Sequence, residues 1–456
     1  MKIRNIFYIG LLFLISTLGF AQEIYLAGNG VTIIADPSAV TGQNYLLGGT
    51  NYMVVDNATV DAQVDAGNYN IVTTRVTDMS NQFLSKNTFN SDISHWDTSN
   101  VTNMDSMFSG AVLFNQPIGI WDTSKVTSMI GTFFLARNFN QPLGGWDTGE
   151  VTDMTQMFNG AGEFNQNINT WNTSKVTEMN YLFASADEFN QPLNSWDTSS
   201  VTEMIGMFRD ATKFNQPINN WNVSSVISML KMFSEALVFN QPLNNWDVSK
   251  VTNMQEMFGI LGGGFNGRSA FNQDIGDWDV GRVTNFRAMF RRNFVFDQDI
   301  SDWNMVSATG VNQMFDRAIG FNNGGVSLNC WDTSNITNFN TMFFEASSFN
   351  QDISNWCVAN IGSEPSNFKT AANASFQGNA AFQPSWGAAC SGNSVVISFS
   401  DETKTFGDPN FTVTATSNQL GIPITYSIAD TSIATIDVSS GEITILKSGT
   451  TIVTAS

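Results

Sequence analysis

The chain has 456 residues, of which 42% are hydrophobic, enough for a sizeable buried core and for two or three domains. Aspartate and glutamate number 40 against 20 lysines and arginines, so the formal net charge is −20. Such an acidic surface repels the phosphates of nucleic acids and of anionic lipids, and we expect neither as a partner. It suits a cationic partner or calcium.

Residues 1–21 have the pattern of a secretory signal peptide. Lys2 and Arg4 precede an apolar run, and the small residues Gly19 and Ala21 suit a cleavage site between Ala21 and Gln22. The apolar run is short for a membrane anchor, and no later segment has the length and apolarity of a transmembrane helix. We therefore expect a secreted or cell-surface protein.

Residues 22–75 lack the repeat found further along the chain. Short β-favouring runs such as 31–34 and 52–55 alternate with glycines, which predicts a small strand-rich unit. The first unit of a stacked array exposes apolar side chains and unpaired backbone unless it is covered. We interpret this segment as an N-terminal cap.

A unit of about 25 residues recurs from residue 76 to residue 361, and its clearest marker is tryptophan. The markers are Trp96, Trp121, Trp146, Trp171, Trp196, Trp221, Trp246, Trp278, Trp303, Trp331 and Trp356. Two phenylalanine series and a methionine series recur with them. Self-similarity at a fixed period is typical of a repeat solenoid, whose stacked units bury a shared core. We predict about eleven units, with these tryptophans forming a core ladder.

The apolar spacing within one unit predicts its local structure. Steps of three or four residues favour a short helix or 3₁₀ turn over Met104–Ala111. The stretch from Phe114 to Val126 is better interpreted as a turn and a short strand. One strand and one helical turn per unit is the arrangement of a leucine-rich-repeat solenoid, with a three-sided β-helix as the alternative.

Two polar positions follow the aromatic markers. Asparagine follows the first phenylalanine of almost every unit, and aspartate or asparagine follows the tryptophan. We expect the asparagine to satisfy backbone groups at a turn and to stack along the array. We expect the residue after tryptophan to accept from a backbone N–H two residues further on.

The repeated cycle resembles a known family. Phe108, Ala111, Phe114, Val126 and Met129 occupy the apolar positions of the repeat in the BspA-like leucine-rich-repeat surface proteins of bacteria. The resemblance covers about residues 24–391. It implies a secreted or surface-exposed adhesion or binding protein with no shared ligand, and it implies no catalytic residues.

The repeats change character near their end, and residues 362–392 are interpreted as a C-terminal cap. Three cysteines in an exported chain allow one disulfide and one remaining thiol. We favour Cys357 with Cys390, which would close the cap; the resemblance implies a similar ending of the array. Cys330 with Cys357 is the alternative.

Residues 394–456 consist of alternating strand-like runs separated by turn residues. The segment 432–455 resembles bacterial immunoglobulin-like domains of surface proteins, which implies a small all-β sandwich. Because Ser456 falls on the expected last strand, we expect the natural chain to continue.

No motif indicates catalysis, so we expect a protein that is not an enzyme and needs no cofactor. His95 is the only histidine, and no serine or cysteine lies in a nucleophile motif. Calcium is a lesser candidate, because no acidic loop has EF-hand spacing. Ice binding is another, suggested by threonine at one register in Thr98, Thr123, Thr148, Thr173 and Thr198.

The predicted function is binding or adhesion through multivalent contacts along an extended acidic and polar solenoid face. The partner would be an extracellular protein or a polysaccharide, and the protein itself a monomer. The alternative is a structural spacer that displays another domain. An insertion at 259–268 would form a loop, either a binding loop or a tolerated length change.

Overall fold

The computed structural model describes residues 22–260, 268–388, 397–398, 404, 409–413, 416–417, 426–447 and 451–455. The predicted signal peptide with Ala21, and positions 261–267 of the inserted loop, lie outside these residues. Gln22, the predicted new N-terminus, is exposed. In the described part of the chain, no helix has the length and apolarity needed to cross a membrane.

Five strands and one helix precede the repeats. They are β1 (Ile24–Leu26), β2 (Ile33–Ala35), β3 (Asn44–Leu47), β4 (Thr50–Asp56), α1 (Val60–Asp65) and β5 (Ile71–Arg75). β1 pairs with β2 and β3 with β4, both antiparallel, while β5 runs parallel to β4. These strands lie in the segment predicted to be strand-rich, whereas α1 was not predicted.

The N-terminal unit covers the backbone of the first repeat. The side-chain oxygen of Asn57 accepts hydrogen bonds from the backbone N–H groups of Thr77 and Asp78, at 2.8 and 3.3 Å. Thr73 Oγ1 donates to the carbonyl oxygen of Asp97 at 2.9 Å. These contacts give the first repeat polar partners on the side where it has no preceding repeat.

Each repeat from Val76 to Ile361 is built from turns that hydrogen-bond to the neighbouring repeats. Phe108 N–H donates to the carbonyl of Thr132 in the next repeat at 2.8 Å, whereas Met107 N–H donates to Met104 in its own repeat at 3.2 Å. Over residues 106–111 inter-repeat and intra-repeat donors alternate in this way. The predicted helical turn over Met104–Ala111 is therefore wrong, because a helix would direct every donor to its own repeat.

Two residues in most repeats have left-handed backbone, and they permit this alternation. In one repeat they are Ser106, with φ of 55°, and Gly110, with φ of 72°. Most of the equivalent positions carry side chains, such as Gln156 and Lys231. A left-handed residue with a side chain costs about 1–2 kcal/mol, so the inter-repeat hydrogen bonds must outweigh that cost.

Isolated parallel bridges connect successive repeats along one register. They join Asp78, Asn103, Ser128, Asp153, Glu178, Glu203, Ser228, Asn253, Asn285, Gly310 and Asn338 in chain order. Between residues 76 and 361, outside 261–267, the only helix or strand is the 3₁₀ helix Asn323–Gly325. The short strand predicted between Phe114 and Val126 is therefore also wrong. The described repeats are joined in tandem mainly by sheet-type pairing.

The core consists of aromatic rings that stack from repeat to repeat. Phe83 and Phe108 lie with ring centroids 5.3 Å apart and planes at 1°, and Phe108 also stacks on Phe114 at 4.0 Å. The same column continues to Phe343 with centroid separations of at most 5.8 Å. Methionines such as Met104 and Met129 are fully buried beside the rings.

The parallel ring stack ends in the segment predicted to be a C-terminal cap. Phe368 and Phe376 meet Phe343 and Phe349 nearly edge-on, each pair at 81°. The short helix α2 (Ala374–Gly378) and the 3₁₀ helix Ala380–Phe382 follow. An edge-on ring closes the face of the last stacked ring, so the apolar core is covered at this end.

Among the described residues beyond 396 there are seven short strands. They are β6 (Ile397–Ser398), β7 (Phe411–Thr412), β8 (Thr416–Ser417), β9 (Tyr426–Ile428), β10 (Ala434–Ile436), β11 (Glu442–Ile445) and β12 (Val453–Ala455). They pair antiparallel in the orders β10-β11-β7, β12-β9 and β6-β8. Val413, Tyr426, Ala434 and Ile443 form a small buried cluster.

Candidate binding face

The eleven marker tryptophans are buried, with at most 4% of any side chain exposed. In ten of them the indole Nε1 donates to a backbone carbonyl oxygen in the preceding repeat or N-terminal unit, at 2.9 to 3.1 Å. Trp121 is the exception, because its Nε1 is buried without a hydrogen-bond partner. The ladder therefore packs the core and leaves no aromatic platform for a carbohydrate.

A ladder of asparagine side chains runs along the repeats beside the aromatic core. Asn190 Oδ1 accepts the backbone N–H of Asn215 and the side-chain Nε2 of Gln216, both at 3.0 Å. The same pairing of backbone donors recurs from Asn90 to Asn350, with Asp297 substituting for one asparagine. The expected stacking asparagine is thus confirmed.

The polar residue after tryptophan closes a small local turn. Asp197 Oδ1 accepts the backbone N–H of Ser199 at 3.0 Å. The hydrogen bond from the Ser199 hydroxyl is the largest cause that lowers the pKa of Asp197, and the backbone bond adds to it. Equivalent bonds occur after most of the other marker tryptophans. The predicted acceptor role is confirmed, and these oxygens have a structural function.

The threonine register considered for ice binding is buried. The five side chains from Thr98 to Thr198 are 1–2% exposed, and each hydroxyl donates to a carbonyl oxygen of the next repeat at 2.8 to 3.0 Å. A buried hydroxyl cannot contact a crystal surface. The prediction that this register forms an ice-binding surface is therefore wrong. Val223 and Val248 can replace threonine there because the position is interior.

A different threonine register is exposed except at Thr202, which is half-buried, and we name it the threonine column. It comprises Thr77, Thr102, Thr127, Thr152, Thr177, Thr202, Thr252, Thr284, Thr309 and Thr337, with Ile227 at one position. Each backbone N–H after the first donates to the carbonyl of the preceding member at 2.8 to 3.0 Å. This sheet-type pairing sets the spacing of the column at about 4.8 Å per repeat. The column thus presents the same methyl and hydroxyl groups at a fixed interval.

The threonine hydroxyls are held in one orientation. Thr127 Oγ1 donates to the carbonyl oxygen of Thr102 at 3.2 Å, and the other threonines from Thr102 onward repeat this bond at 3.1 to 3.3 Å. Thr77 differs, because its Oγ1 accepts from Asn57 Nδ2 at 2.8 Å. Each hydroxyl oxygen retains lone pairs that face outward to accept from a ligand. Because the orientation is shared, one ligand group that fits a member of the column fits its neighbours.

Carboxylates adjoin the middle of the threonine column on successive repeats. They are Asp153, Glu178 and Glu203, at the bridge register. Burial raises the pKa of Glu178, and the charge of Asp153 adds to that effect, while a hydrogen bond from Thr202 opposes it. Burial and then the charge of Glu178 raise the pKa of Glu203. This part of the face therefore carries mutually repelling negative charge.

Arginines in residues 287–317 neutralise buried carboxylates. Glu256, 2% exposed, lies 3.2 Å from Lys231 and 3.7 Å from Arg287. Asp316 contacts Arg291 at 2.8 Å and Arg317 at 3.3 Å. Burial raises the pKa of Asp316, and the two arginines oppose that shift. These arginines stabilise the interior and are not a site for an anionic ligand.

The remaining predicted site residues are placed as follows. Cys330 carries a free thiol and is half-buried, so the alternative pairing of Cys330 with Cys357 is wrong. The favoured pairing stays a prediction, because Cys390 lies outside the described residues.

His95 lies edge-on to the Tyr52 ring, and burial lowers its pKa despite the opposing charge of Asp92. In the described part of the chain, no group of three metal-ligating side chains is assembled.

Comparison with known proteins identifies the family. The sequence signature of the family described as "Mycoplasma protein of unknown function, DUF285" matches three successive segments, residues 51–171, 162–263 and 260–382. No curated protein and no solved structure gives a significant match. The matched segments run from β4 through the repeats to the C-terminal end of the stacked core, 332 of the 456 residues. The chain therefore belongs to the DUF285 family of tandem-repeat proteins.

Proposed function

We propose that this protein is a secreted or cell-surface binding protein that makes multivalent contacts along the face formed by the threonine column. The observation that carries the proposal is the repetition of one oriented threonine hydroxyl and methyl pair in nine repeats, of which eight are exposed and one, at Thr202, is half-buried. A ligand with its own repeating groups gains affinity from several weak contacts, because the second and later contacts are intramolecular. A repeating extracellular polysaccharide or an extended extracellular protein has that form.

The type of solenoid, the nature of the C-terminal domain and the route of export are part of the same proposal. The parallel bridges and stacked rings favour a repeat solenoid. The resemblance of the repeat to BspA-like leucine-rich-repeat surface proteins supports a relation to that family, and the antiparallel strands beyond residue 396 support a C-terminal immunoglobulin-like domain. Export would follow cleavage between Ala21 and Gln22. N-terminal sequencing of native protein from the culture medium or cell surface tests this directly, and a chain that begins at Met1 would contradict it.

A binding screen tests the proposed function. The purified protein would be screened against arrayed glycans and extracellular-matrix proteins, with and without calcium. The triple variant Thr127→Arg, Thr152→Arg, Thr177→Arg would place three bulky charges on the threonine column. The matched control Ser195→Arg, Asn220→Arg, Asn245→Arg adds the same charge at another exposed register.

Saturable binding that only the threonine-column variant loses would establish the face. Binding lost equally in both variants would contradict it. Absence of binding by folded protein would favour the second candidate, a non-catalytic spacer that displays another domain. The spacer is favoured by the continuous ring stack, because rings in contact along the whole array make a rigid element.

A further inference from the structure

A second register of exposed or half-buried side chains runs beside the threonine column, and we name it the flanking register. Its members lie two residues before the members of the column, with a buried apolar residue between them. They are Asn100, Lys125, Glu150, Lys175, Ser200, Ser225, Lys250, Arg282, Ser307 and Asn335. Exposure alternates over these three residues as it does along a strand, so the two registers share one surface.

Side chains of the flanking register reach one another from repeat to repeat. Lys175 Nζ lies 2.7 Å from a carboxylate oxygen of Glu150, the member in the preceding repeat. Lys125 Nζ donates to Asn100 Oδ1 at 2.6 Å, again across one repeat. A long side chain in this register therefore contacts the member before it.

Lys250 and Arg282 are successive members of the register, so two cations meet where the other lysines meet an acceptor. The Thr284 N–H donates to the Thr252 carbonyl at 2.9 Å, which holds these two repeats side by side. Both cations are exposed, and in the described part of the chain neither forms an ion pair. Like charges opposite each other on paired segments are destabilising, so this pair lacks a counter-charge.

The nearest aspartates in sequence are engaged in their own turns. Asp247 accepts the N–H of Ser249 at 3.0 Å, and Asp279 accepts the N–H of Gly281 at 3.1 Å. The hydrogen bonds from the Ser249 hydroxyl and N–H are the largest causes that lower the pKa of Asp247, and the charge of Lys250 adds to them. These carboxylates moderate the positive charge from one side without pairing with it.

We propose that Lys250 and Arg282 bind an anionic group of an acidic polysaccharide that lies along the threonine column. This inference rests on the proposed function and names the class of its ligand. An anion between the two cations would remove their repulsion and accept charge-assisted hydrogen bonds from both. The members on either side, Ser225 and Ser307, are small and neutral, so they leave room beside the pair.

The threonine column favours a polysaccharide over an acidic protein segment. Thr252 and Thr284 donate their hydroxyl protons to backbone carbonyls at 3.2 and 3.1 Å, so toward a ligand their oxygens can only accept. Sugar hydroxyls supply donors on every residue of a polysaccharide. An extended peptide offers backbone carbonyls as often as N–H groups, and the hydroxyls of the column have no donor for those carbonyls.

The charge of the face confines an acidic ligand to the later repeats. Asp153, Glu178 and Glu203 make the middle of the face negative, and they lie before Lys250 along the array. An acidic chain bound at Lys250 and Arg282 would be repelled from that region. It would therefore extend toward the C-terminal cap.

Matched pairs of polymers test the ligand class. Polygalacturonate carries a carboxylate on each sugar, and its methyl ester retains the chain and its hydroxyls without the charge. Dextran sulfate and dextran form a second pair, in which the anion is a sulfate ester. We expect saturable binding of at least one charged polymer, about tenfold weaker binding of its neutral counterpart, and loss of affinity as the salt concentration rises. The pair that shows the difference identifies the anion.

Two double variants locate the site. Lys250→Gln with Arg282→Gln should weaken binding of the charged polymer about tenfold, without lowering the thermal midpoint, because a repulsion is removed. Lys125→Gln with Lys175→Gln is the matched control. It removes the same charge from the same register, but from lysines that have a partner in the preceding repeat, and it should bind nearly as the unmodified protein does.

Failure of this inference is distinct from failure of the proposed function. Absence of binding to both charged polymers, equal binding of charged and neutral polymers, or full binding by the folded Lys250 and Arg282 variant would overturn the anion site. Equal affinity for poly-L-glutamate would overturn the polysaccharide assignment in favour of an acidic protein. The threonine column would remain the proposed binding face in each case, unless the screen of glycans and matrix proteins also gives no ligand that depends on it.

Discussion

The indole Nε1 of Trp196 donates a hydrogen bond to the carbonyl oxygen of Ile168, 28 residues earlier, at 3.1 Å. This bond connects the side chain of one repeat to the backbone of the preceding one. It explains why tryptophan, and not phenylalanine, recurs at this register, since only tryptophan offers both a large apolar surface and a donor. Loss of this hydrogen bond to a buried carbonyl would lower the free energy of unfolding.

The tryptophan ladder therefore predicts unequal effects of one substitution at two positions. Trp196→Phe removes the donor to Ile168, whereas Trp121→Phe removes an Nε1 that has no partner, and both side chains are at most 3% exposed. Because the Ile168 carbonyl still accepts from Trp171 N–H at 3.1 Å, we expect Trp196→Phe to lower the free energy of unfolding by about 0.5–1.5 kcal/mol more than Trp121→Phe. Urea denaturation followed by circular dichroism measures both, and equal losses would contradict the role of the bond.

The asparagine ladder predicts that the acceptor oxygen, and not the amide, is what stabilises the turn. Asn190→Ala removes the acceptor of the half-buried Asn215 N–H and one of the two acceptors of Gln216 Nε2, which keeps the backbone carbonyl of residue 190, and should cost about 0.5–1.5 kcal/mol. Asn190→Asp should retain most of the stability, because Asp297 accepts from Asn322 at 2.7 Å at the equivalent place. Asn245→Ala, at an exposed position, is the control and should change the thermal midpoint little.

The carboxylates beside the threonine column predict a pH-dependent gain from Glu203→Gln. Because the folded pKa of Glu203 is raised, its contribution to stability is greatest below its usual pKa of 4.5 and is lost as pH rises through the folded value. At pH 7 the neutral glutamine should therefore raise the free energy of unfolding, by less than about 1 kcal/mol because solvent screens the charge. At pH 4 the gain should vanish.

Thermal unfolding at the two pH values measures this difference, with Glu188→Gln as the control. Glu188 forms an ion pair with Lys213, so its removal should give no gain at pH 7. A gain from Glu203→Gln that is as large at pH 4 as at pH 7 would show that charge repulsion is not its cause.

Substitution by alanine should have opposite effects on stability at a glycine with left-handed backbone and at one without it. Gly131 has φ of 59°, and a Cβ there would meet other atoms no closer than 3.5 Å, so Gly131→Ala adds conformational strain without a clash. We expect a loss of about 1–2 kcal/mol. Gly162 does not have a left-handed φ, and a Cβ there would lie no closer than 3.8 Å to other atoms. Gly162→Ala should therefore be neutral or stabilise by about 0.4–1 kcal/mol. Chemical denaturation of both variants provides the comparison.

The sequence was sufficient to locate the core but not the direction of every polar side chain. Recurrence placed Trp196 in the tryptophan ladder and Phe108 in a phenylalanine series, because a residue type that recurs in every unit has the same environment in every unit. Recurrence alone does not say whether that environment is interior. The Thr98 register is interior, and its replacement by Val223 in a later repeat was the signal that could have shown this.

The threonine column was missed although its signal was present. Thr102 and its equivalents lie between a buried valine and a buried methionine, so the Val-Thr-x-Met pattern resembles a half-buried strand. Helical spacing over Met104–Ala111 was misleading for a physical reason. A chain of turns that alternates left-handed and right-handed residues, such as Ser106 and Met107, also places apolar side chains three or four apart.

One departure from the repeat could not be predicted from periodicity, namely an added residue in the C-terminal cap. Ile361 and Pro365 are four residues apart, where the equivalent Val126 and Met129 are three apart. At the sequence level that addition lies where the repeat pattern is already fading. It becomes visible only when the hydrogen bonds of Ile361 and Phe368 identify the equivalent positions in a regular repeat.

The uniform register of the inter-repeat hydrogen bonds has a consequence for how such chains change in length. Interior repeats bond to both neighbours through matching backbone atoms, as Met129 N–H to Asp153 and Met154 N–H to Glu178 illustrate. Gain or loss of a whole 25-residue segment would rejoin matching atoms and leave both ends unchanged. The reach of the protein is therefore set by copy number, in steps of about 4.8 Å, without any change in the chemistry of its surface.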